Sequence, residues 1–180
     1  MKTEEKTNWV IDASHSKIGF RVKHLMIANV TGTFREFEGK VETSGNDFST
    51  AALSVSINSA SVDTEIADRD NHLKSPDFFD VANFPKISFT GTGVKDLGDD
   101  MFEITGDLEI KGVRKEVVLS VEYGGLMNDP WGNAKAGFSV TGKINRKDWG
   151  LNWNAALEAG GVLVGDEVKI SCDIELVKKA

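Results

Sequence analysis

Apolar and polar residues alternate with a period of two along most of this chain, a pattern that suits half-buried strands and excludes a helical bundle. Ile18, Phe20 and Val22 alternate with Gly19, Arg21 and Lys23, and Leu53, Val55 and Ile57 alternate with Ser54, Ser56 and Asn58. Phe102, Ile104, Leu108 and Ile110 share one face, as do Val117, Leu119, Val121 and Tyr123. Ala136, Phe138, Val140 and Ile144 form another face, and Val168, Ile170, Cys172, Ile174 and Leu176 close the chain. With Val30 to Val41 and Lys86 to Val94 the pattern predicts roughly eight strands, many near ten residues and so longer than usual.

Strands of that length in a chain of 180 residues point to one domain and to closure. An open sheet would leave two edges unpaired, whereas a barrel removes them and gives each strand an inner and an outer face. The expectation is therefore an all-β, extended eight-stranded antiparallel barrel with one short helix. Hydrophobic residues at 40% and charged residues at 27% fit a folded globular chain. No apolar run reaches the ~20 residues of a spanning helix. Twenty-one Lys and Arg against 28 Asp and Glu give a net charge of -7, with the basic residues dispersed, which disfavours nucleic acid as a partner.

The helix is expected from Thr64 to about Lys74, capped by Asp63 or Thr64 and stopped by Pro76. Asp68-Arg69-Asp70 suits a solvated helix face or, for Arg69, a pocket mouth. Phe78 and Phe79 follow, and two adjacent aromatics cannot both face water cheaply. Gly32, Gly39, Gly91, Gly106, Gly142 and Ala136 remove volume at inward or paired positions, while large aromatics supply walls. Eight strands enclose either a filled core or room for one small ligand, and the mixture of glycine and aromatics favours the second.

Catalytic signals are weak. His15, His24 and His72 form no compact metal spacing, and the Ser14-His15-Ser16 adjacency does not make a nucleophile without an orienting acid. Gly91-Thr92-Gly93 and Gly160-Gly161 do not lead from a strand into a helix, so neither is a phosphate cradle. The one cysteine, Cys172, allows no internal disulfide and reads as a strand residue. The opening residues Met1 to Asn8 carry charges of both signs with no apolar segment behind them. A cytoplasmic location is expected of such a start, or a periplasmic one for a chain already freed of a leader.

Several segments in order resemble the YceI-like family of bacterial polyisoprenoid-binding, lipocalin-like proteins. They are Trp9-Val-Ile-Asp-Ala-Ser-His15-Ser, Phe20-Arg-Val-Lys-His24-Leu, Val30-Thr-Gly-Thr-Phe34, and Arg69-Asp-Asn-His72-Leu-Lys-Ser75 with Asp77-Phe-Phe-Asp80. Phe84-Pro-Lys-Ile-Ser-Phe89, Gly106-Asp-Leu-Glu-Ile-Lys-Gly-Val113, Asn145-Arg-Lys-Asp-Trp-Gly-Leu-Asn-Trp153 and Gly165-Asp-Glu-Val168 complete the set. The resemblance runs from Trp9 to about Val177, leaving residues 1–8 as a tail before a domain at 9–180.

It implies an eight-stranded barrel around a long apolar cavity and non-catalytic binding of an isoprenoid lipid, a polyprenyl phosphate or an isoprenoid quinone. No cofactor or metal is implied, and a homodimer formed through an outer barrel face is the expected assembly. The expected apolar wall is Phe20, Val22, Phe34, Phe37, Ile57, Phe84, Trp131, Phe138, Trp149 and Leu151. Arg69, His72 and Arg146 are the expected cations at a head group, with His24 as a further hydrogen-bonding group. Two other readings are an enzyme using His24 or His72 as a general base, and a packed stress-response module with no ligand.

Overall fold

The computed structural model describes residues 5–157 and 160–179. Among these, eleven strands form one antiparallel sheet: β1 (Lys6–Ile11), β2 (Lys17–His24), β3 (Ala28–Phe34), β4 (Phe37–Ser44), β5 (Asp47–Asn58), β6 (Val62–Asp63), β7 (Lys86–Gly98), β8 (Met101–Ile110), β9 (Val113–Asn128), β10 (Ala134–Asn145) and β11 (Val164–Lys178). Eight of them, β1, β4, β5, β7, β8, β9, β10 and β11, close into a ring through the pairing of β1 with β11.

The other three are continuations of ring strands beyond short breaks. β1 pairs with Leu176–Lys178 of β11, and β2, after a 3-10 turn at Ala13–His15, pairs along Val164–Asp173 of the same strand. β3 and β4 follow β2 and β1 in the same way, and β6 and β5 follow β3 and β4. The result is an up-and-down barrel of eight bent strands, each beside its sequence neighbour. The expected strand count therefore holds, although Val30 to Val41 is broken at Arg35 and Glu36 rather than continuous. Barrel pairing also begins earlier than expected, because Lys6 to Asn8 lie opposite Glu42 to Ser44.

Alternation places the predicted apolar faces inward. Each of the inward glycines lies beneath a large side chain of the neighbouring strand and makes room for it. A Cβ at Gly32 would meet the Phe20 ring at 2.4 Å, and one at Gly106 would meet the Phe89 ring at 2.4 Å and the Thr90 carbonyl at 2.6 Å. Gly39, Gly91 and Gly142 are covered likewise by Ile11, Leu53 and Leu119. These side chains lie along the wall instead of crossing the lumen, which keeps the centre open.

The ends of the barrel differ. At the end holding the β4–β5, β7–β8 and β9–β10 turns, Trp9, Phe48, Tyr123 and Phe138 form an aromatic plug with ring centroids 4.9–5.5 Å apart. The Trp9 indole N–H donates to Thr43 Oγ1 at 2.9 Å, so the one polar group of that buried ring is satisfied. The opposite end carries the connection from β6 to β7, the β2–β3 turn and the long segment between β10 and β11.

The helix α1 (Ala67–Lys74) sits there and starts later than the sequence suggests. Thr64 is buried, and both its N–H and its hydroxyl donate to Asp70, at 2.7 and 2.6 Å, while Glu65 takes a left-handed backbone. Thr64 thus belongs to the turn that delivers the helix and does not cap it.

Candidate binding cavity

The lumen holds a cavity of about 440 Å³, within the range of small-molecule sites. The interior is not filled, which sets aside the reading of a packed barrel. Its walls come from nearly every strand: Phe20 and Val22 on β2, Leu53 and Val55 on β5, Ile104 on β8, Leu119 on β9, Val140 on β10, Ile170 and Ile174 on β11. The helix-bearing end is closed over by Leu73, Phe78, Phe79 and Trp153, with the Phe34 and Phe79 rings edge to face at 5.7 Å. Cys172 also lines the lumen, and burial pushes its thiol pKa up to about 11, so the group is neutral.

Polar groups that reach the cavity with their own chemistry gather at the helix end. The Nε2 of His72 lies 2.9 Å from an Asp77 carboxylate oxygen, and its ring meets Trp153 edge to face at 4.5 Å. Arg69 gives Nε–H and one Nη2–H to the hydroxyl and carbonyl of Thr64, both at 2.8 Å, leaving further donors without a protein partner among the described residues. His24, the last residue of β2, lines the cavity and makes no side-chain hydrogen bond among the described residues.

Arg146 lines the cavity as well, but its donors are committed. It is 3% exposed, and its guanidinium donates to the carbonyls of Leu151, Trp153 (2.9 Å), Gly165 (2.8 Å) and Val164 (3.4 Å), with Asp166 at 3.9 Å. Burial lowers its pKa from the ordinary arginine value. Arg146 ties residues 151–153 and 164–165 to the barrel end, so the expectation of a head-group cation is corrected to a brace.

Four expected wall residues lie elsewhere. Trp131 occupies the β9–β10 turn and is 83% exposed, its backbone N–H bound to Asp129 because the turn chemistry sets its position. Trp149 is buried, but its indole N–H donates to the Leu108 carbonyl at 2.9 Å, which holds the ring behind the wall. Phe37 follows the Arg35–Glu36 break and packs on the core short of the lumen, and Phe84 covers Gly112 at the β8–β9 turn. Phe20, Val22, His24, Phe34, Ile57, Arg69, His72, Phe138 and Leu151 do reach the cavity. The β8, β9 and β11 faces were legible as inward rows without being assigned to a wall, and the Phe78-Phe79 pair carried its own signal of burial.

The Ser14-His15 pair sits outside the barrel. Asp12 accepts from the Ser14 hydroxyl at 2.6 Å, lies 2.9 Å from His15 Nδ1, and is 2.7 Å from Lys135 Nζ. Lys135 bridges Asp12 and Glu175, so a cation already stands among these carboxylates. Lys135, with Ser14 and His15, holds the Asp12 carboxyl well below the usual carboxylate range.

A closed up-and-down barrel around an apolar lumen, plugged at one end and polar at the other, defines a lipocalin-like binding barrel. The YceI-like domain model matches residues 9–176, and the chain belongs to that family. A UPF0312 protein of Staphylococcus aureus strain MSSA476 is 42% identical over 170 residues, 94% of this chain and 96% of the relative. The Campylobacter jejuni YCEI protein superposes with a TM-score of 0.76 at 33% identity, covering 94% of this chain and 96% of that one. A polyisoprenoid binding domain from Saccharophagus degradans, implicated in plant cell wall breakdown, shares the fold with a TM-score of 0.70 at 16% identity, over 95% and 98% of the two chains.

Proposed function

We propose that this protein binds an isoprenoid lipid without transforming it, the chain in the lumen and the head group at the helix end beside His24, Arg69 and His72. The observation that carries this reading is a cavity of about 440 Å³ walled almost entirely by apolar side chains, with His24, Arg69 and His72 brought together at its helix end. Burying about ten isoprenoid carbons at roughly 0.8 kcal/mol each stabilises a complex by on the order of 8 kcal/mol before ordering costs. A phosphate head suits Arg69 and a protonated histidine, and a quinone carbonyl suits either as a single donor. The polyisoprenoid-binding description of the structurally similar Saccharophagus degradans domain supports the same chemistry.

The test is organic extraction of purified protein with mass spectrometry of the extract, beside native mass of the intact complex. About one isoprenoid per chain is expected, and Val140→Trp, which fills the middle of the lumen, should lose it while staying folded. A folded protein that carries no such lipid and takes up neither added quinone nor polyprenyl phosphate would reject the proposal. Turnover of a bound compound that disappears in His24→Ala or His72→Ala would replace it with an enzyme.

A further inference from the structure

The β2–β3 turn is built against two local preferences at once. Leu25 and Met26 both take left-handed backbone, with φ of 54° and 60°, and the Ile27 N–H returns to the His24 carbonyl at 3.3 Å. Bulky side chains are disfavoured there, and Asn or Gly would adopt this geometry at lower cost. The same chain meets that demand elsewhere with polar or glycine tips, Asp99-Asp100 and Lys111-Gly112. The side chains at this turn also point into water, Leu25 at 40%, Met26 at 57% and Ile27 at 88% exposure.

Place gives the turn its meaning. It follows His24, which lines the cavity, and the Leu25 N–H donates to the carbonyl of Leu163, another cavity residue, at 2.9 Å. Exposed Val162 adjoins Leu163, so the outer apolar surface runs into the cavity wall at the end opposite the aromatic plug. We infer that this rim is a membrane-docking surface: Leu25, Met26 and Ile27 enter the interfacial region of a lipid bilayer and hold the helix-bearing end of the barrel against it. The inference rests on the lipid-binding reading for its purpose, though not for its test. A bilayer is the occupant favoured by a rim continuous with an apolar lumen. With a net charge of -7, attraction to anionic headgroups is not the driving force, so apolar insertion must supply the affinity.

The experiment is flotation of the full chain with phosphatidylcholine vesicles, in low and high salt, beside cavity binding of a detergent-solubilised quinone. Wild type should float at both salt concentrations. The combined variant Leu25→Asn, Met26→Gly and Ile27→Ser should bind vesicles roughly tenfold or more weakly. It should keep wild-type quinone affinity and melt no lower than wild type, because Asn and Gly relieve the turn. Met127→Ser with Trp131→Ser removes exposed apolar side chains from the plugged end and should float like wild type.

Wild type that binds quinone but does not float overturns the inference, as does flotation unchanged in the turn variant or lost in the plugged-end variant. A dimer of the wild type that the turn variant dissolves, with no vesicle binding by either, would instead assign the rim to a second copy and overturn it too. Flotation that depends on the turn in a protein with no quinone binding sustains the docking surface and rejects the cargo.

Discussion

Replacing Arg146 with methionine keeps the aliphatic stem and removes the guanidinium, which separates a brace from a head-group donor. In the structure the group is 3% exposed and supplies hydrogen bonds to four backbone carbonyls. Losing the charge relieves its desolvation, but strands the carbonyls of Leu151, Trp153 and Gly165, while that of Val164 keeps the Asn154 amide as a donor at 2.8 Å. Each buried carbonyl left unpaired costs about 1–3 kcal/mol, and water reaching the loosened segment recovers part of that, so the net loss should be about 3–5 kcal/mol. For a domain of this size that corresponds to a fall in Tm of roughly 6–20 °C. Chemical and thermal denaturation measure it, and ligand dissociation should quicken because Trp153 and Leu163 lose their anchorage. A variant within about 1 kcal/mol of wild type that binds quinone normally but loses polyprenyl phosphate would refute the brace and restore Arg146 as a head-group cation.

Gly106→Ala should cost about 1–3 kcal/mol, since its Cβ would lie 2.6 Å from the Thr90 backbone carbonyl as well as against Phe89. Gly93→Ala, with nothing within 4 Å, should stay within about 0.5 kcal/mol of wild type, and equal losses at the two sites would refute the covered-glycine account. The Asp12 carboxyl is depressed first by Lys135 and then by Ser14 and His15, so its contribution is complete above the usual carboxylate pKa and is lost as pH falls through the lower folded value. The stability gap between wild type and Asp12→Asn should therefore be flat from neutral pH down to about 5 and shrink below about 4. A gap unchanged to pH 2 in denaturant titrations would contradict this. Cys172, with its thiol near 11, should be about one part in a thousand thiolate at pH 8 and alkylate correspondingly slowly, more slowly still with cargo bound; labelling at the rate of a free thiol would show that the lumen is wet there.

The period-two alternation by itself determined the strands, their inward faces and the barrel, because side-chain direction along a strand is a local property and closure is the economical way to bury one face of eight long strands. Phe20, Val22, Phe34, Ile57, Phe138 and Leu151 could be placed on the wall from parity or segment resemblance. Adjacent Phe78 and Phe79 announced burial for the same local reason. What only the tertiary structure decided is anything that depends on a partner distant in sequence. Phe37 and Phe84 look like wall residues and stop short of the lumen because of a strand break and a turn. Trp149 is turned away by a carbonyl 41 residues distant, that of Leu108. Trp131 is the exception to that rule, because Asp129, two residues away, holds it in a turn whose local chemistry outweighs the hydrophobic side chain. Arg146 shows the limit most clearly: a cation beside an aromatic motif reads as a ligand group, and only the folded chain reveals four carbonyls converging on it. Charge and hydropathy are carried by the residue, but whether a donor is free or already satisfied belongs to the fold.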